Sequence, residues 1–170
     1  PVDWGEVRRV AEDPKCVAWG ELGLDWHYPE PARDRQLACL NAHLDCIERA
    51  RIDGLDLPVV VHCRESLPDL LAVFGQREIP PERYVFHCFT GTAEEAESIL
   101  EFGAWISLTG VLTFTSAATV AEAATRIPLD RVMVETDSPY LSPEPVRKVR
   151  PNEPAHVVWV ARYLADLRGC

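Results

Sequence analysis

The chain has 170 residues, 47% of them hydrophobic and 26% charged, which suits one globular domain (1–170) with a real core and excludes wholesale disorder. It has no run of about eighteen uncharged apolar residues and no basic start followed by an apolar stretch, so no membrane helix or secretory leader is expected and a cytoplasmic location is. Its formal charge of −10 excludes a broad basic face that would grip duplex DNA by counterion release, so positive charge for a polyanion would have to be local, as bound divalent cations supply it.

In chain order, the first residues already read as a helix, with Val7 and Val10 apolar among Glu6, Arg8, Arg9 and Glu12. Since the chain starts at Pro1 inside such a segment, sequence upstream of it is expected. A strand is predicted at 17–21. Residues 32–52 carry Leu37, Leu40, Leu44 and Ile47 at three- and four-residue steps, a helical face. A strand at 58–62 follows, then Ser66 before Leu67 and Pro68, a capped helix start. After a strand at 84–87, Thr92 and Glu95 have the capping-box spacing, Ala96, Ile99 and Leu100 share a face, and Gly103 suits the stop. Strands at 104–108 and 131–135 flank a weaker alanine-rich helix at 116–126. Residues 139–154, with five prolines, read as a long loop, and Asn152-Glu153-Pro154 as the capped start of a last helix carrying Val157, Val160 and Leu164. Strands alternating with helices predict an α/β fold with a mostly parallel sheet. Five strands are too few for a closed (βα)8 barrel of the TIM type, which takes about 250 residues.

The six cysteines show no CxxC or zinc-finger spacing and are expected as reduced thiols. Metal-capable residues end several predicted strands: Glu21, His62 and His87, with Asp137 just past another. Each alone has an ordinary reading, as a satisfied core histidine or a loop-capping carboxylate. Together they suggest a metal site, because reacting groups gather at the C-terminal ends of parallel barrel strands, and imidazole with carboxylate suits zinc, manganese or, with more oxygen, magnesium.

The blocks Gly20-Glu21-Leu22-Gly23-Leu24-Asp25, Pro58-Val59-Val60-Val61-His62-Cys63-Arg64, His87-Cys88-Phe89-Thr90-Gly91, Glu135-Thr136-Asp137-Ser138-Pro139-Tyr140-Leu141 and Asn152-Glu153-Pro154 resemble, in order, the signature blocks of the TatD nuclease family. The resemblance implies an amidohydrolase-like TIM-type (βα)8 barrel, incomplete here and represented by strands four to eight with their outer helices. It also implies magnesium-dependent, generally exonucleolytic DNA hydrolysis with two divalent ions per complete site, zinc and manganese being the other candidates. Carried over, Glu21 bridges both ions, His62 and His87 hold one of them, and Asp137 binds the other and acts with Glu21 as a catalytic residue. The family's first ion also needs a His-x-His pair on the first strand. None occurs, since His27, His43 and His156 are isolated, so strands one to three are expected to lie outside this sequence.

Other roles stay open on the residues alone. Arg64 suits a phosphate or a salt bridge, and Glu135 either orients a ligand or pairs with a cation. Arg147, Lys148 and Arg150 form the one tight basic cluster, and Arg147 and Lys148 are read with Arg64 as substrate contacts. Trp26, His27 and Tyr28 suit stacking on a base or merely covering the barrel mouth. Cys63 and Cys88, each next to a histidine, are expected to face the core by strand alternation. The expected substrate is DNA, single-stranded or at its ends, with self-association through open sheet edges also expected. An amide, ester or lactone hydrolase on the same barrel, or a non-catalytic metal-binding fragment, are the rival readings.

Overall fold

Asp3 opens the first helix by accepting hydrogen bonds from the backbone N–H groups of Gly5 and Glu6, a carboxylate cap that satisfies donors a first turn leaves orphaned. The structure, a computed structural model, describes residues 2–170. Its elements run α1 (Trp4–Ala11), β1 (Trp19–Asp25), α2 (Arg33–Ile52), β2 (Val59–Arg64), α3 (Leu67–Phe74), β3 (Tyr84–Phe86), α4 (Ala93–Phe102), β4 (Trp105–Leu108), α5 (Ala118–Arg126), β5 (Val132–Val134) and α6 (Val157–Arg168), with 3-10 turns at Pro81–Arg83, Gly110–Thr113 and Pro154–His156. The strands form one five-stranded sheet in the order β1-β2-β3-β4-β5, and β1 with β2 and β4 with β5 run parallel. This is the predicted α/β alternation. No helix among the described residues is long and apolar enough to cross a membrane.

Two compact units divide the chain, Pro1–Val85 and Phe86–Cys170. In the first, α2 packs on β1 and α3 on β2. Leu24, Val59 and Val61 are fully buried from the sheet side, Leu44, Ala50 and Leu70 from the helices. Each leucine so buried stabilises the fold by about 1.5–3 kcal/mol before entropy is counted. Tyr84, also fully buried, stacks on Phe74 at 4.2 Å. In the second unit α4 packs on α5 and β4, and α6 on β5, around Ala96, Ile99, Ile106, Leu108, Ala123 and Val160. The α4 cap is the predicted box, with Thr92 and Glu95 bonded reciprocally and Gly103 in the left-handed region at φ 101°.

Three expectations need correction. β1 does not end at Glu21 but runs on to Asp25, and β2 runs past His62 to Arg64. The register of β1 against β2 is irregular between Trp19 and Leu22, so Glu21 lies at a break in the pairing inside its strand. Ser66 stands at the N-cap of α3, as expected, but its side chain makes no capping bond. Its hydroxyl donates instead to the Leu24 carbonyl at 2.7 Å, tying that helix start to β1.

Past the irregularity the pairing is Leu22 with Val61, Gly23 with His62 and Asp25 with Arg64. At Gly23 a Cβ would collide with the His62 carbonyl oxygen, so only glycine lets the strands approach this closely.

Candidate metal centre

Along β1, Leu22 and Leu24 are buried while Glu21, Gly23 and Asp25 are not, the alternation of a strand with one face on a core. His62 lies across from Gly23 and therefore between the two carboxylates that flank that glycine. Its Nδ1 is 4.0 Å from Glu21 Oε2 and its Nε2 3.2 Å from Asp25 Oδ2. The Glu21 side chain is 54% exposed and that of His62 35%, and a cavity of about 490 Å³ opens beside Glu21 against Gln36, Cys39 and His43.

Asp25 is the residue that reading the sequence for metal ligands passed over. Its Oδ1 accepts the His27 N–H at 2.9 Å, and its main chain is held at both ends by Gln36, whose Oε1 accepts the Asp25 N–H at 2.8 Å while Nε2 donates to the Asp25 carbonyl at 2.9 Å. Burial pushes the Asp25 carboxyl up, but the His27 N–H, the His62 imidazole and Arg64 together hold it below the ordinary carboxylate value. The signal was present in Glu-Leu-Gly-Leu-Asp, which sets two acids on one strand face around a glycine.

In the second unit, His87 follows the end of β3 and its side chain is only 10% exposed. Its Nδ1 lies 3.8 Å from Glu135 Oε1, which itself accepts the Cys88 N–H at 2.6 Å. Glu135 thus faces a histidine and a peptide N–H, the arrangement expected of a group that orients a ligand. Cys88 corrects the alternation argument: it lies beyond the strand with φ 47°, is half-buried, and its sulfur is 3.6 Å from Thr109 Oγ1. Cys63 is likewise half-buried, its sulfur 3.8 Å from Ser66 Oγ. All six cysteines are free thiols.

Among the described residues, Glu21 and His62 in the first unit and His87 in the second are side chains that could serve as metal ligands. Asp137, the remaining candidate ligand, lies in the second unit. It sits after β5 with φ 55° in a turn closed by the Tyr140 N–H on its carbonyl at 2.9 Å. Buried Asn152 holds this turn by donating from Nδ2 to the Thr136 carbonyl at 2.9 Å and the Tyr140 carbonyl at 2.6 Å.

Among the candidate substrate contacts, Arg64 is exposed, with its guanidinium 5.2 Å from the Tyr28 ring centre. Arg147 is half-buried and stacks at 3.6 Å on Phe114, whereas Lys148 and Arg150 are exposed. Trp26 is buried and its indole N–H donates to Asp69 at 2.7 Å, which removes it as a stacking platform and leaves Tyr28, 56% exposed. The isolated histidines have local partners: His27 bonds Glu65 at 2.8 Å, His43 the Cys39 carbonyl at 2.9 Å and His156 Asn152 at 2.9 Å.

A family model described as TatD related DNase matches residues 2–170. An uncharacterized metal-dependent hydrolase of Escherichia coli K12, YcfH, is 41% identical over 99% of this chain and 62% of its own. A protein of Erwinia billingiae named 3'-5' ssDNA/RNA exonuclease TatD is 36% identical over 96% of this chain and 62% of its own. Among solved structures, the TatD homologue YjjV of Escherichia coli K12 superposes with a TM-score of 0.85 at 28% identity, covering 96% of this chain and 61% of that one. The chain thus spans about three-fifths of the length of the relatives it matches.

Proposed function

Because this chain belongs to the TatD-related DNase family, we propose that it is part of a metal-dependent hydrolase that cleaves phosphodiester bonds of DNA exonucleolytically. The observation that carries the reading is the placing of His62 Nδ1 4.0 Å from the Glu21 carboxylate, in a chain whose family match runs through both residues. The Erwinia relative's name supports single-stranded DNA or RNA attacked from the 3' end.

One carboxylate and two imidazoles fit a divalent ion by their chemistry, zinc or manganese directly and magnesium with added water. Glu21, His62 and His87 would hold one divalent ion, and Asp137 would help to hold a second. When bound, such ions polarise the phosphoryl oxygens and lower the pKa of water. The protein's own groups do the rest. Glu135 steadies the His87 imidazole through Nδ1. The Asp137 carboxylate accepts the proton of the attacking water. Arg64, exposed beside Tyr28, offers its guanidinium fork to a phosphate, a geometry Lys cannot match. Lys148 reaches solvent as a second cation, while Arg147 gives the basic loop rigidity through its Phe114 stack.

The test is degradation of a short single-stranded oligonucleotide by the full-length protein with magnesium, manganese or zinc, beside simple carboxylic esters and lactones under the same metal. Stepwise shortening of the oligonucleotide, abolished by chelator, is the expected result. Turnover of the esters alone would reject the phosphodiester assignment in favour of the amide, ester or lactone class.

A further inference from the structure

We propose that Asp25 is a positioning residue for His62, fixing which imidazole nitrogen keeps its proton, and that Gln36 sets Asp25 in turn. The inference rests on the metal-holding role proposed for His62 and deepens it.

A neutral imidazole has one N–H and one lone pair, and a carboxylate can only accept. The 3.2 Å contact between His62 Nε2 and Asp25 Oδ2 therefore puts the proton on Nε2. Nδ1, on the Glu21 side of the ring, keeps its lone pair for a metal ion. A second hydrogen bond of this kind orients a ligating histidine and raises its basicity.

The carboxylate is itself held. The His27 N–H occupies Oδ1 at 2.9 Å, leaving Oδ2 for the imidazole. Gln36 clamps the Asp25 peptide groups from both sides and adds a third bond to the Pro31 carbonyl at 2.8 Å. Its amide orientation is dictated by these partners, since one N–H must meet an oxygen and two carbonyls must meet the nitrogen. Gln36 projects from the first turns of α2, so the helix that packs on β1 also sets the depth at which Asp25 stands. An acid tethered at three points by backbone and side chain has little freedom left, which is how a supporting residue holds a ligand within the tolerance a site requires.

Two measurements on the full-length protein test this. In metal-free, ¹⁵N-histidine-labelled protein at about pH 9, where an ordinary imidazole is neutral, the His62 signals, identified by their loss in His62→Ala, should show the Nε2–H tautomer. In titrations with Mn²⁺ alone, Asp25→Ala should weaken binding by roughly 10–100-fold. Asp25→Asn keeps an oxygen that can accept the N–H and should lose less, with Gln36→Ala also weakened. An Nδ1–H tautomer in the wild type, or wild-type Mn²⁺ affinity in Asp25→Ala, overturns the proposal. Should Asp25→Ala fail to fold, Asp25→Asn decides: unchanged affinity overturns the proposal and a several-fold loss at native melting temperature supports it. Unchanged Mn²⁺ binding in His62→Ala instead rejects the metal role of His62 itself, and this inference with it.

Discussion

Asp137 occupies the left-handed region at φ 55°, and Cys88, next to His87, does so at φ 47°. For residues other than glycine such a conformation costs on the order of 1–3 kcal/mol and persists only where surrounding contacts impose it, although aspartate is among the residues that tolerate it best. At Asp137 the imposing contacts are the turn to Tyr140 and the grip of Asn152. If its carboxylate is the proton acceptor, Asp137→Asn in the full-length protein lowers magnesium-dependent turnover of a single-stranded oligonucleotide by about 10²–10⁴-fold. Because the amide keeps the shape, the melting temperature should stay near that of the wild type. A variant that melts normally and retains more than roughly a tenth of the rate would remove Asp137 from the chemistry. Asp137, Glu21, His62 and His87 were legible as candidates because each stands next to an apolar run. What the residues did not disclose was that β1 and β2 run past Glu21 and His62, since the extent of a strand depends on its pairing with a partner, here continued to Asp25 with Arg64. Asp25 went unread for the same reason: its role exists only through the pairing of Gly23 with His62.

The helices were the most legible elements. Thr92, Glu95 and Gly103 mark both ends of α4 by local chemistry alone, and the structure keeps all three roles. Ser66 and Asn152 carried similar marks but turned to tertiary partners, because a side-chain oxygen or amide bonds whichever buried group most needs it. Around Pro154–His156 the Glu153 side chain caps the turn, while the Asn152 amide holds the proline-rich loop and its Oδ1 accepts the Glu153 N–H at 2.9 Å. Asn152→Ala strips the Thr136 and Tyr140 carbonyls of a donor in a buried place. At about 0.5–1.5 kcal/mol per bond and more where an acceptor stays unmet, it should destabilise the protein by about 1–3 kcal/mol in urea denaturation. A loss within 0.5 kcal/mol, the usual range for surface changes, would mean that the loop is held by other contacts.

At the scale of the whole molecule, stability should depend on alkaline pH through Tyr84. Burial, with the nearby Glu48 carboxylate adding to it, pushes its phenol well above the ordinary value. A group whose folded pKa is raised gives stability that is fully present below its unfolded value, about 10 for tyrosine, and is lost as pH climbs from there toward the folded value. The difference in unfolding free energy between wild type and Tyr84→Phe should therefore be constant from about pH 7 to 9 and shift against the wild type by about pH 11. Parallel curves over the whole range would show that the phenol is not held in a buried, neutral state. The parallel α/β alternation was plain from the spacing of apolar runs, whereas the 3-10 turns at Pro81–Arg83 and Gly110–Thr113 escaped it, being too short to carry a period. The close seam at Gly23 has a consequence of another kind. A tally of charges and donors would score Gly23→Ala as silent, yet its methyl group is a wedge driven against the peptide of His62. Overpacking of this sort costs about 1–3 kcal/mol, so Gly23→Ala should lose both melting temperature and Mn²⁺ affinity with its whole chemical inventory intact. The tolerance of this centre is thus set by clearance as much as by its reactive groups.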